Sequence, residues 1–261
     1  YGRKVAVVGL AVNNTPLIKF LVSQGADIIV LDQKTPEKLD GFLKELQGLP
    51  LQYHLGPDYL SSLKGREIIF LSPGIPKSLP ALKDAVREGS TISSELQLFM
   101  DLNHSPLIGI TGSSGKTTTT TLVGEMLTGV KPIKVGGNIG QPPISFLADL
   151  TDETWVVLEL SSFQLQGLGR SPDIAVVTNI TPNHLDAHSS MDEYIQAKTE
   201  ILRYQTRQDL AILNYDNRIT RNMAELVVGE RYFFSRVIQP SPGAFLRGDN
   251  LILSMGDGGE E

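Results

Sequence analysis

The stretch "GITGSSGKTTTTTLVGEM", residues 109–126, decides how this chain is read. A phosphate loop needs main-chain N–H groups turned inward, a glycine where the chain passes close to the anion, and a cation near the terminal phosphates. The loop offers Gly112, Gly115 and Lys116, and the Thr117 hydroxyl is suited to Mg²⁺. The strand-like "PLIGI" before it and the helical run after it give the required context, with the positive end of the helix aimed at the anion. One position departs from the general pattern: Ile110 stands where the leading glycine should be. The stretch is therefore either an ATP site of another design or a Ser/Thr-rich turn containing Gly-Lys-Thr. Its context favours the first. Kinases, ATPases and ligases share such loops, so the loop alone names no reaction.

Around it, short apolar runs alternate with helical patterns. "KVAVVGL", "DIIVLD" and "REIIFLSPGI" read as strands, and "TPLIKFLVSQGA", "PALKDAVREGS" and "ISSELQLFMDLN" as helical stretches. After "HSPLIGITG" come the strands "TWVVLEL", "IAVVTNI" and "DLAILN" and the helix "SMDEYIQAKTEILRY". This alternation predicts an α/β protein with parallel sheets covered by helices. A polar, Pro-containing link at "NHSP" places a boundary near residues 103–106. The expected domains are 1–104, Rossmann-like, and 105–261, a phosphate-loop α/β domain.

Composition narrows the function classes. The 261 residues are 41% hydrophobic and 20% charged, as in a globular protein, and the net charge of −6 gives no general attraction to nucleic acid or anionic membrane. No apolar run approaches the roughly 18–20 residues needed to span a bilayer. With no cysteine, disulfides and thiolate metal sites are excluded, which fits a reducing cytoplasm. The first residues enter a strand at once, and "NLILSMGDGGEE" reads as a strand and turn at a cut end.

"VVGLAVNN" lies where a dinucleotide fingerprint would lie, but its three glycine positions read Gly9, Ala11 and Asn14. Asp32 ends the second strand, at the place of a ribose-binding carboxylate. An ordinary strand–helix turn and a degenerate nucleotide site both remain open here. Either leaves a helix N-terminus able to meet a phosphate, with Asn13 and Asn14 adding amides. "SPGI", residues 72–75, opens on the same sheet edge. Downstream, "WVVLELSSFQL" puts Glu159 at the end of a buried strand, beside Ser161, Ser162 and Gln164, where a carboxylate could share Mg²⁺ with phosphate. "VVTNITPNHLDAH" brings His184, Asp186 and His188 close together; one His suits a metal or a leaving proton, and two of the three read as surface loop residues. Lys198 lies on a helix, and composition alone would never select it.

Together "TGSSGKTTTT", "GGNIGQP", "LELSSFQL", "TNITPNHLDAH" and "YIQAK" follow the order and spacing of the Mur ligases, and the resemblance, which covers essentially the whole chain, is strongest to the branch that adds D-glutamate. In that family the ATP loop resembles TGxxGK[ST], without the leading glycine. The resemblance implies an ATP-dependent ligase of peptidoglycan synthesis acting on UDP-N-acetylmuramoyl-L-alanine and D-glutamate. It implies that Gly112, Ser113, Ser114, Gly115, Lys116, Thr117 and Thr118 cradle ATP, with Lys116 on the β- and γ-phosphates. Thr117 and Glu159 would hold one Mg²⁺ and His184 a second. Lys198 would be carbamylated, becoming a carboxylate-like group near that second metal. Asn138, Ser161 and Gln164 would meet the muramoyl-alanine part, and Asn13, Asp32, Ser72 and Gly74 the UDP part. The chain departs from the family pattern at "GLAVNN", at Gln33 and at Asn183. The family's adenine-contacting segment and third domain are not reached, so this stretch alone is expected to be nearly inactive. Rival readings are another Mur or folylpolyglutamate-type ligase and a non-catalytic module that senses a UDP-sugar. A dehydrogenase is the weakest, because the glycine pattern is broken.

Overall fold

The computed structural model describes residues 2–182 and 190–256. They form two compact units. The first runs through Asn103 and takes back Gln141–Asp149; the second is His104–Gly140 with the chain from Leu150 onward. A single division near residue 104 leaves out this return of Gln141–Asp149 to the first unit. Its cause is local packing. Ile144 and Leu147 join a core layer of the first unit, and Phe146 meets Phe99 edge to face, with centroids 5.8 Å apart.

In the first unit the chain runs β1 (Lys4–Val8), α1 (Asn14–Ser23), β2 (Asp27–Asp32), α2 (Asp40–Glu45) and β3 (Leu51–Leu55). It continues through β4 (Ile68–Leu71), α3 (Pro80–Arg87), β5 (Thr91–Ser93) and α4 (Glu95–Leu102). All strand pairs are parallel, in the order β3-β2-β1-β4-β5. Strands buried on both faces need apolar residues at every position. β1 meets this by sending Val5 and Val7 to a layer with Leu17 and Ile18 of α1, and Ala6 and Val8 to a layer with Leu82 and Ala85 of α3. Pro80 suits the first turn of α3, where a missing N–H costs nothing. "ISSELQLFMDLN" is not one helix. Thr91 and Ile92 pair with Ile68 and Ile69 as a strand, and the Ser94 hydroxyl then accepts the Gln97 N–H to cap α4.

The second unit contains β6 (Leu107–Thr111), α5 (Lys116–Leu127), β7 (Ile133–Gly137), β8 (Trp155–Glu159), α6 (Ser162–Leu165) and β9 (Ile174–Val177). Then follow α7 (Met191–Arg203), β10 (Leu210–Asn214), α8 (Arg218–Asn222), β11 (Glu230–Ser235), β12 (Gly243–Arg247) and β13 (Asn250–Ser254). The sheet order is β13-β12-β11-β10-β9-β6-β8-β7, parallel except for β13. β3, β5, β7, β11 and β12 are strands that apolar runs alone did not reveal. Several are short or half-exposed, so they lack a continuous apolar signal.

Both units are α/β, as the alternation of patterns predicted. In each, the strand order turns back beside the first strand, between β1 and β4 and between β6 and β9. Open parallel sheets bind ligands outside the carboxyl ends of the strands at such a point.

Candidate active site

The loop after β6 is built against the end of β9. Its Gly112 has no room for a side chain: an added Cβ would collide with Thr178 Oγ1. The first hydrogen bond of α5 runs from Thr119 N–H to Gly115 O, so the N–H groups of Lys116, Thr117 and Thr118 have no partner within the helix. These groups lie at the head of a helix of 12 residues, a place suited to an anion. Ser113 and Ser114 differ from the expected cradle. Their N–H groups are bonded to Asn179, to its main-chain oxygen at 2.8 Å and its side-chain oxygen at 3.0 Å.

Lys116 folds over the loop, and its Nζ donates to Gly112 O at 3.1 Å and Ser113 O at 3.3 Å. At the end of β8 the Glu159 carboxylate is held on both oxygens. Thr117 Oγ1 donates to Oε2 at 2.7 Å, and Asn138 Nδ2 donates to Oε1 at 2.8 Å. Thr117 and Glu159 thus present a hydroxyl and a carboxylate oxygen side by side, next to the anion-binding end of α5. This donor set fits Mg²⁺, a hard cation that takes oxygen ligands, keeps waters and shares phosphate. Among the described residues no three His, Asp or Glu side chains cluster as a ready-made metal cage. His184, with Asp186 and His188, lies outside the described residues.

Lys198 enters the same site from α7. Tyr194, Ala197, Lys198, Ile201 and Leu202 are the buried face of that helix, so a lysine occupies its apolar stripe. That misplaced polarity was readable in the sequence. Lys198 Nζ donates to Gly112 O at 2.8 Å and Thr111 Oγ1 at 3.3 Å, and lies 4.8 Å from the Tyr194 ring centroid. Burial, then the charge of Lys116, push its pKa down to about 7 against the pull of Glu159. Tyr194 OH in turn bonds Ser113 Oγ at 3.0 Å. Ser161 and Gln164 bond each other: Ser161 Oγ accepts the Gln164 N–H, and Gln164 Oε1 accepts the Ser161 N–H, capping α6.

In the first unit, Asn13, Asp32, Ser72 and Gly74 lie at or beyond the carboxyl ends of β1, β2 and β4. Gly9, at φ +88°, brings the two turns into contact, since a Cβ there would meet Ser72 Cβ at 2.7 Å and Ile75 Cδ1 at 2.9 Å. Asp32 accepts the N–H of Leu10 at 2.7 Å and of Lys34 at 2.8 Å, organising two turns at once. Asn14, in the third glycine position, is fully buried, and its amide donates to Gly9 O at 2.7 Å. The turn is thus closed by a side-chain amide where a dinucleotide fingerprint uses glycine. Asn13 starts α1 half-buried without a side-chain cap bond, and Gly74 is exposed at φ +90°.

The chain belongs to the Mur ligase family: residues 110–236 match the Mur ligase middle domain, and residues 3–94 the MurD-like N-terminal domain. Within that family its relatives include UDP-N-acetylmuramoylalanine--D-glutamate ligases. That of Acetivibrio thermocellus is 44% identical over 98% of this chain and 55% of its own length. That of Ruminiclostridium cellulolyticum is 45% identical over 96% of this chain and 54% of its own. The chain spans about half the length of the curated relatives it matches. Among solved structures it resembles UDP-N-acetylmuramate:L-alanyl-gamma-D-glutamyl-meso-diaminopimelate ligase from Neisseria meningitides, with a TM-score of 0.61 at 14% identity, covering 96% of this chain and 86% of that one. A murein peptide ligase from Psychrobacter arcticus gives 0.59 at 15% identity, covering 98% and 59%. At these identities the likeness concerns the fold alone. No helix among the described residues is long and apolar enough to cross a membrane.

Proposed function

We propose that this chain belongs to a cytoplasmic ATP-dependent ligase that joins D-glutamate to UDP-N-acetylmuramoyl-L-alanine in peptidoglycan synthesis. The observation that carries the reading is the convergence of Lys116, Thr117, Glu159 and Lys198 at the head of α5, in a chain so similar to D-glutamate ligases.

The chemistry has a physical logic. A carboxylate is a poor electrophile. Its oxygen attacks the γ-phosphorus of ATP, ADP leaves, and the resulting acyl phosphate carries a good leaving group. The amine of D-glutamate then attacks the carbonyl carbon, the bond to phosphate breaks, and the amine loses a proton. The free N–H groups of Lys116, Thr117 and Thr118 bind the phosphates, and the Lys116 ammonium offsets charge on the transferring group. Thr117 and Glu159 would hold one Mg²⁺, which supplies further neutralisation of phosphate charge. Lys198 is poised differently. With its pKa near neutrality, its uncharged amine can add carbon dioxide and release a proton, giving a carbamate that would join His184 at a second Mg²⁺. Asn138, Ser161 and Gln164 would meet the muramoyl-alanine part. Asn13, Asp32, Ser72 and Gly74 would bind the UDP part at the β1/β4 edge.

The test is phosphate release by a protein completed to the length of these relatives. Release is expected only with both UDP-N-acetylmuramoyl-L-alanine and D-glutamate, and should be lost in Lys116→Ala. Release with another amino acid reassigns the protein within the family. UDP binding that leaves no effect of Lys116→Ala or Glu159→Ala points instead to a non-catalytic UDP-sugar module.

A further inference from the structure

β9 leaves the sheet as Thr178-Asn179-Ile180-Thr181, and the proposed chemistry uses none of these four residues. Their contacts nevertheless run to the phosphate loop. The Asn179 side chain grips Ser114 at two points: Oδ1 accepts the Ser114 N–H at 3.0 Å, and Nδ2 donates to the Ser114 carbonyl at 3.0 Å. A carboxamide offers an acceptor and a donor side by side, so this pairing fixes which way the amide faces. The Asn179 main-chain oxygen accepts the Ser113 N–H at 2.8 Å. Thr178 Oγ1 donates to the same Ser114 carbonyl at 2.7 Å. The end of β10 and the cap of α8 brace this clamp. Asn214 Nδ2 donates to Thr178 O at 2.8 Å, and Asn217 Nδ2 donates to Ile180 O at 3.0 Å.

We infer that Asn179 is a positioning residue of the phosphate loop. The loop carries a glycine at each end, Gly112 and Gly115, and glycine holds no conformation by itself. Tyr194 holds the Ser113 hydroxyl, and Asn179 constrains the Ser114 peptide. It turns the N–H groups of Ser113 and Ser114 away from the anion and fixes the peptide that leads into α5. The N–H groups left to meet phosphate, on Lys116, Thr117 and Thr118, are then already aimed before the nucleotide arrives. A site ordered in advance loses less freedom on binding and so binds more tightly. The ligand in this inference rests on the ATP reading above; the clamp itself does not.

The test compares wild type, Asn179→Ala, Asn179→Asp and Lys116→Ala by amide exchange in NMR and by calorimetric titration with magnesium and the ATP analogue AMP-PNP. In Asn179→Ala the Ser114 amide should exchange at least tenfold faster, while the Ser113 amide, held by a main-chain oxygen, stays protected. Asn179→Asp keeps an acceptor of the same shape, so the Ser114 amide should stay slow. Affinity for AMP-PNP should fall about tenfold in Asn179→Ala. Unchanged Ser114 exchange in Asn179→Ala overturns the clamp. Faster exchange with unchanged affinity overturns its part in binding. Should wild type and Lys116→Ala bind the analogue equally poorly, the ATP reading fails, and the exchange rates still decide whether Asn179 shapes the loop.

Discussion

Lys116 and Lys198 donate to one and the same carbonyl oxygen, that of Gly112, at 3.1 and 2.8 Å. Burial does most to push the Lys198 pKa down to about 7 in the folded chain, and repulsion from the second ammonium on that acceptor adds to it.

The sign of the resulting pH dependence follows. The unfolded chain keeps Lys198 protonated up to about pH 10.4, whereas the folded chain releases that proton near 7. Between these values the unfolded state binds more protons, so stability rises with pH. Below 7 both states are protonated, and the cost of the buried charge is present in full. Lys198→Met should therefore stabilise the chain at pH 6 by about 1–3 kcal/mol, with the gain vanishing by pH 10. Urea denaturation in buffer purged of carbon dioxide measures this. An equal difference at both pH values counts against it.

Glu159→Gln tests the metal donor. The amide keeps the shape but loses the charge. Wild type should bind AMP-PNP about tenfold more tightly with magnesium than with chelator, a difference of about 1.4 kcal/mol, and the variant should show little difference. Retention of the full magnesium effect in calorimetry would remove Glu159 from the metal site.

Glu95, in the first unit, is buried, and burial raises its pKa to about 7 against the lowering effect of the Ile144 N–H. That N–H bonds Oε1 at 2.7 Å, and Oε2 is buried without a hydrogen-bond partner. The sign here is opposite to that of Lys198. Between about pH 4.5 and 7 the folded state holds the extra proton, so stability falls as pH rises through that window. Glu95→Gln mimics the protonated form. It should match wild type at pH 4.5 and exceed it by about 1–3 kcal/mol at pH 8. Thermal melts at the two pH values decide, and parallel curves would show that Glu95 does not titrate in this range.

Gly112→Ala should destabilise the chain by about 2–4 kcal/mol, because the new methyl collides with Thr178 Oγ1. Thr178→Ala in the same chain should recover part of that loss, seen as a partial return of the denaturation midpoint. No recovery would place the clash elsewhere.

Much of the site was legible because its chemistry is local. Gly112, Lys116 and Thr117 sit in one strand–turn–helix, and Glu159 closes a strand whose apolar run predicts its direction. Lys198 needed the family resemblance, although its place on the apolar stripe of α7 was a usable sign. Asn179 gave no such sign. Asparagine at a strand end is common in turns, and its contact with Ser114 spans 65 residues of sequence. Half-exposed strands such as β3 were also hidden, since register with β2 defines them more than their own pattern does. The burial of Glu95 could not be read either, because it depends on a segment almost 50 positions away.

That segment has a consequence for synthesis. A ribosome that has just delivered Asn103 to the folding chain has not delivered the first unit's whole interior; Ile144, Phe146 and Leu147 are still to come. Until they emerge, Phe99 lacks its aromatic neighbour and the Glu95 carboxyl lacks the Ile144 N–H. A protease nick at the Asn103 junction would likewise fail to free an intact N-terminal half, since part of its filling is encoded on the far side of the cut.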